Sequence, residues 1–146
     1  MSKCWSKLQS KLYYLMDNKC EFQIHMAVYK MNANDSHYNN KRMLPRYWIT
    51  IGDTIVFDYP KDFDTTLIYG TNSYPWDGEI SQISNIIEEY INTPIIDLLS
   101  PFENDKWGIT NILRVCDRRI GKRKLLKIQE NTTDEIILNI IKKRLS

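Results

Sequence analysis

The chain has 146 residues, 42% hydrophobic and 26% charged, with a net charge of +2. That is enough for a single domain spanning 1–146 and too little for two comfortable ones. No apolar run approaches the roughly 20 residues of a membrane-spanning helix, and the start MSKCWSKLQSKL lacks the apolar core of a signal peptide.

The elements follow in order. From Ser2 to Met16, apolar residues at Trp5, Leu8, Leu12, Leu15 and Met16 recur at helical spacing, with lysines on the wet side. In EFQIHMAVYKM the alternation of Phe22, Ile24, Met26 and Val28 predicts a strand. Asn32 to Arg42 is polar and asparagine-rich, the composition of a loop. RYWITIGDTIVFDYP predicts a hairpin: strands Arg46–Ile51 and Thr54–Asp58 flank the two-residue turn Gly52-Asp53, and Pro60 closes the second strand. TLIYG, 66–70, suits a further short strand. Periodicity then turns helical. One stripe is Ile80, Ile83, Ile86, Ile87, Tyr90 and Ile91, with Asp77 at the N-cap position. Thr93-Pro94 predicts a short helix through Leu99. Asn104 or Asp105 is expected to cap a helix with the stripe Ile109, Ile112, Leu113, Cys116 and Ile120, stopped by Gly121. KLLKIQ, 124–129, fits either a strand or a helical turn, and Thr132 with Glu135 has the spacing of a capping box before Ile136 to Leu145. The fold class is therefore α+β: an N-terminal helix, a small antiparallel meander, then several helices on one face of the sheet.

Charge is partitioned along the chain. Residues 1–52 carry eight Lys/Arg and three Asp/Glu, residues 53–105 eleven Asp/Glu and the single Lys61, and residues 106–146 eleven Lys/Arg and four Asp/Glu. Such a pattern speaks of partners, or of acidic and basic segments packed together in one molecule. The run DRRIGKRK, 117–124, within a basic cluster reaching 127, offers Arg118, Arg119, Lys122, Arg123 and Lys124 to a phosphate backbone. No aromatic residue interleaves it for base stacking. The bland alternative puts Arg118 and Arg119 in the last turn of a helix, where cations complement the macrodipole, with the other three solvated behind the glycine.

His25 and His37 have no partner at metal-ligand spacing. Cys4, Cys20 and Cys116 are widely spaced and never form CxxC, which fits a reducing, cytoplasmic setting and neither a disulfide framework nor a zinc knuckle. Asp58, Asp62, Asp64, Asp77 and Glu79 match no calcium loop, and no phosphate-cradling GxxxxGK[ST] occurs. The expectation is no metal, no cofactor and no catalytic residue, with a small hydrolase as the weakest reading. The acidic middle is the more informative feature. DYPKDFD and YGTNSYPWDGE set Tyr59, Phe63, Tyr69, Tyr74 and Trp76 among carboxylates, the mixture protein interfaces favour, and these same aromatics equally suit a core.

The start CWSKLQSKL, the hairpin LPRYWITIGDTIVFDYP and the segment FENDKWGITNILRVCDRRIGKRK together resemble a family of small, largely uncharacterised bacterial cytoplasmic proteins. That resemblance assigns no activity. In size and build the chain is also similar to immunity proteins, the cytoplasmic neutralisers of polymorphic or contact-dependent toxins. The expectation is a non-enzymatic protein that neutralises a basic toxin, a nuclease-type effector. Its binding surface would comprise Asp58, Asp62, Asp64, Tyr74, Trp76, Asp77, Glu79, Glu88 and Glu89. The alternative is a nucleic-acid-binding or regulatory protein using the basic cluster. Neither reading involves a membrane.

Overall fold

The computed structural model describes residues 4–30, 43–59 and 77–146, without the side chains of 28–30, 43–45 and 77–81. Helix α1, Trp5–Leu15, forms where the apolar spacing predicts it: Leu8 and Leu12 are buried while Lys7 and Lys11 face solvent. A 3-10 turn, Asn18–Cys20, follows, capped by Asp17, whose carboxylate accepts the Lys19 N–H at 2.8 Å. Strands β1, Phe22–Lys30, β2, Met43–Ile51, and β3, Thr54–Tyr59, form an antiparallel sheet in that order.

Register decides which face is core. Phe22 pairs with Ile51, Ile24 with Ile49 and Met26 with Tyr47, so the apolar alternation of β1 and β2 lies on one side. Gly52 makes the predicted turn at φ 58°, a left-handed conformation that favours glycine, and a Cβ there would only displace the flexible end of Glu21, whose Oε2 would lie 3.0 Å away. One register shift, between Ile49 and Thr50, has no signature in the alternation. It leaves Val56 as an extra residue between the pairs Thr50–Ile55 and Ile49–Phe57. The bulge thereby turns Phe57 and Tyr59 toward the core and Asp58 to the outer face beside Trp48.

Helix α1 packs on β1, and Trp5 meets Tyr47 edge-on with ring centroids 5.5 Å apart. Helix α2, Asp77–Ile91, crosses β2 and is tied to it by a hydrogen bond between the Ser84 and Tyr47 hydroxyls. Its Ile83, Ile86, Ile87 and Tyr90 are buried, as the stripe predicts. Helix α3, Ile109–Cys116, packs on α2 and on α5, Glu135–Leu145, while α4, Lys122–Glu130, leans on α5. Each fully buried isoleucine or leucine here contributes about 1.5–3 kcal/mol. The arrangement is the expected α+β one. Among the described residues no helix is long and apolar enough to cross a membrane.

Helix boundaries differ from expectation at four places, each for a local reason. Thr93 does not begin a helix: its hydroxyl donates back to the Glu89 carbonyl at 2.7 Å and closes α2, and only a 3-10 turn, Ile95–Asp97, follows. Neither Asn104 nor Asp105 is the N-cap of α3; that position is Gly108, and Asp105 braces the chain ahead of it. Its carboxylate accepts the N–H groups of Trp107, Gly108, Ile109 and Thr110 and the Thr110 hydroxyl, with Gly108 at φ 74° bending the chain beneath it. Helix α3 ends at Cys116, and Gly121, extended at φ −86°, is the N-cap of α4, so 124–129 is helical. The cap of α5 is Asp134, which accepts the Ile136 N–H at 2.9 Å, in place of the Thr132–Glu135 box. The expected strand at 66–70 and the loop at 32–42 lie outside the described residues.

Candidate partner-binding surface

The basic run divides in two. Asp117 is buried, and its carboxylate is the hub of a polar network. Tyr90 donates to Oδ2 at 2.7 Å, Arg119 grips both oxygens at 2.7–3.2 Å, and the Arg119 N–H adds a bond of 2.8 Å to Oδ1. Burial first, and then the neighbouring Asp117 charge, push the Tyr90 hydroxyl far above its usual pKa, while the hydrogen bonds to Asp117 raise that of Arg119. Arg118 donates to the Tyr14 carbonyl at 2.9 Å and lies 4.6 Å over the Tyr14 ring, closing the end of α1.

Arg144, from the last turn of α5, reaches the carbonyls of Val115, Asp117 and Ile120 at 2.8–3.0 Å. Its Nε stands 3.3 Å from Asp17 Oδ2, near enough for an ion pair without hydrogen-bond alignment. Arg118 and Arg119 thus lie in the turn after α3 and bind the chain to itself, which the last-turn reading did not anticipate. Lys122, Arg123 and Lys124 form the first turn of α4 and have no ion-pair partner among the described residues.

Of the acidic set, only Asp58, Glu88 and Glu89 have described side chains. Asp58 makes a two-pronged pair with Arg46, at 2.9 and 2.7 Å, on the outer face of the sheet, where Arg46 also covers Trp48 at 4.8 Å. This carboxylate is engaged by the basic N-terminal segment. Asp62, Asp64, Tyr74 and Trp76 lie outside the described residues, as do Phe63 and Tyr69, and Asp77 and Glu79 are placed only as the first turn of α2. Tyr59 packs edge-on against Trp107 at 6.1 Å, which is the core role. Glu88, half-buried, and Glu89, exposed, stand in the last turn of α2, where no basic residue accompanies them.

Sequence reasoning missed the surface beside Glu89. In the run Pro94-Ile95-Ile96-Asp97-Leu98-Leu99, expected as a short helix, only Leu98 is fully buried, while Ile95 is 46% and Ile96 84% exposed. A shallow cleft of about 410 Å³ opens next to them, lined by Glu89, Thr93, Pro94, Asp97, Pro101 and Phe102. The stretch 77–105 has seven acidic residues and no basic one. The short span between Pro94 and Pro101 is the sequence signal: it leaves too little room for a helix able to bury both isoleucines.

The remaining titratable groups are quieter. His25 is half-buried against the Trp48 ring, centroids 5.1 Å apart, and His37 lies outside the described residues. Cys20 and Cys116 are free and buried, and they meet: a thiol–thiol hydrogen bond lowers the pKa of Cys20 and, with burial, raises that of Cys116. Their distance along the chain, from 20 to 116, hid that contact. Among the described residues no cluster of three His, Cys, Asp or Glu side chains is placed to hold a metal ion.

The protein so defined is an α+β scaffold carrying an apolar knuckle in acidic surroundings. Residues 76–145 match the model of the SF0329 protein family, which covers α2 to α5 and leaves out the sheet and α1. The CWSKLQSKL start and the RYWIT hairpin fall outside that match. No curated protein and no solved structure matches the chain.

Proposed function

We propose that the chain is a non-enzymatic binding protein of the immunity type, working in the cytoplasm, that occludes a basic toxin of the nuclease class. The observation that carries this reading is the exposed pair Ile95–Ile96, held on a single turn between Glu89 and Asp97 and beside the cleft under Phe102. Interfaces gain most of their affinity from a few desolvated apolar anchors ringed by charge, and the charge selects a partner of opposite sign. Glu88 and Glu89 at the negative end of α2 oppose the helix macrodipole, at a cost of about 0.3–1 kcal/mol each. Local rules are broken in this way where function demands it. The proposed surface keeps Glu88 and Glu89 of the expected set and gives up Asp58, which is engaged by Arg46.

The test pairs capture with rescue. The captured protein must be basic, must arrest growth when expressed alone, and must be silenced by co-expression of this chain. Ile96→Asp should abolish both capture and rescue. Rescue undiminished by Ile96→Asp contradicts the proposal.

A second reading draws on Lys122, Arg123 and Lys124, whose charges meet no described acidic partner. Nucleic-acid binding through them predicts a log–log salt slope reduced by about one for each cation removed. Arg119 is committed to the buried Asp117, whereas the exposed Arg118 gives only its Nε to the Tyr14 carbonyl.

A further inference from the structure

A second cleft, of about 460 Å³, opens between the end of α3, Leu99 and the α4–α5 turn. Ligand sites for small molecules typically span about 300–1,000 Å³ and combine an apolar floor with a few convergent polar groups. Leu99, Ile128 and Ile137 supply the apolar wall here, and Arg114 and Lys127 supply two cations.

Arg114 is the unusual member. Its Nε is buried and has no hydrogen-bond partner among the described residues. Among the described residues its one side-chain hydrogen bond, to the Ser100 carbonyl, is stretched to 3.4 Å. Burial lowers its pKa and outweighs the nearby Tyr90 and Asp105, which favour the charged form. The neighbouring Asp105 favours the charged guanidinium through space, but its oxygens accept from four backbone N–H groups and the Thr110 hydroxyl and take no hydrogen bond from Arg114. Phe102 offers only its ring, 5.9 Å from the guanidinium carbon. Lys127 is exposed and forms no ion pair among the described residues. A planar guanidinium with unspent donors matches an oxyanion. The third charge in the cleft, Asp134, caps α5 through the Ile136 N–H and repels an anion from that end, so the head group is steered to the Arg114 side.

We infer that this cleft binds a small amphipathic oxyanion, its carboxylate or phosphate held between Arg114 and Lys127 and its apolar body lying on Leu99, Ile128 and Ile137. The site is separate from the Ile95–Ile96 surface and stands or falls independently of the toxin-binding proposal.

Titration of the ¹⁵N-labelled protein with octanoate, octyl phosphate and inorganic phosphate tests it. The Arg114 Nε–Hε signal and the amides of 127–132 should shift saturably with octanoate, octyl phosphate or both, and the tighter of the two identifies the head group. Inorganic phosphate, lacking the apolar body, should bind at least about ten-fold more weakly. Arg114→Lys keeps the charge and loses the fork, so its affinity should fall about ten-fold, while Lys142→Met should bind as the parent does. No saturable shift, equal binding of inorganic phosphate, or an unaffected Arg114→Lys overturns the assignment. Should Arg114→Lys fail to fold, the Nε–Hε signal of the unaltered protein decides alone.

Discussion

Helices α2 and α5 end with opposite charge, and the contrast separates what the fold uses from what it leaves over. Helix α5 begins with the Asp134 cap and Glu135 and finishes with Lys142, Lys143 and Arg144, so both ends agree with its macrodipole. Arg144 is fastened to three carbonyls and to Asp17, and Lys143 reaches Glu21 at 3.1 Å. Helix α2 finishes with Glu88 and Glu89 and no cation, directly before two exposed isoleucines. Asp134, Lys143 and Arg144, which obey the dipole, are bound to the molecule itself. Glu88 and Glu89, which oppose it, form no ion pair among the described residues, and the proposed interface rests on them.

The contrast is broken most forcefully at Asp117. Asp117→Ala leaves Arg119 and the Tyr90 hydroxyl without their buried acceptor and should cost about 3–5 kcal/mol in urea unfolding. Tyr90 itself gives a pH signature. Its folded pKa lies above the unfolded value of 10.0, so its contribution is complete below pH 10 and fades as pH rises past that point, where the unfolded chain ionises first. Tyr47, also raised by burial, adds to the same alkaline limb. Tyr90→Phe should lower stability at pH 7 by about 1 kcal/mol and make the alkaline decline shallower. An unchanged alkaline profile would remove Tyr90 from the network.

Smaller effects sharpen the comparison. Glu89→Lys relieves the conflict with the α2 dipole and should raise stability by about 0.3–1 kcal/mol while weakening partner binding. Loss of stability in that variant would show Glu89 to be structural. Lys122→Met with Arg123→Met should move stability by less than about 0.5 kcal/mol.

Much of the fold was legible because periodicity reports burial directly. The stripes of α1, α2 and α5 and the alternation of β1 and β2 each name the buried face, and Gly52-Asp53 fixes the hairpin. Boundaries were harder to read where side chains bind backbone across several residues. Asp105 collects four N–H groups, and Thr93 closes one helix where it was expected to open another. The bulge at Val56 was invisible because one extra residue leaves the composition of a strand unchanged.

Sites were less legible still. DRRIGKRK advertises charge, but a sequence cannot reveal that Asp117 is buried or that Tyr90, Tyr14 and Arg144 converge on its surroundings from distant positions. Asp58 counted toward an acidic patch until the register set it beside Arg46. The exposure of Ile95 and Ile96 was not legible, because it depends on how much chain the flanking prolines leave for a helix.

The most direct measurement compares two double variants against the captured partner by calorimetry. If the acidic, isoleucine-bearing knuckle is the docking surface, Ile96→Asp with Glu89→Lys should weaken binding by about a hundred-fold or more, whereas Lys122→Met with Arg123→Met should change it less than about two-fold. Full affinity in the first variant, or its loss in the second, would transfer the interface to the start of α4 and contradict the account.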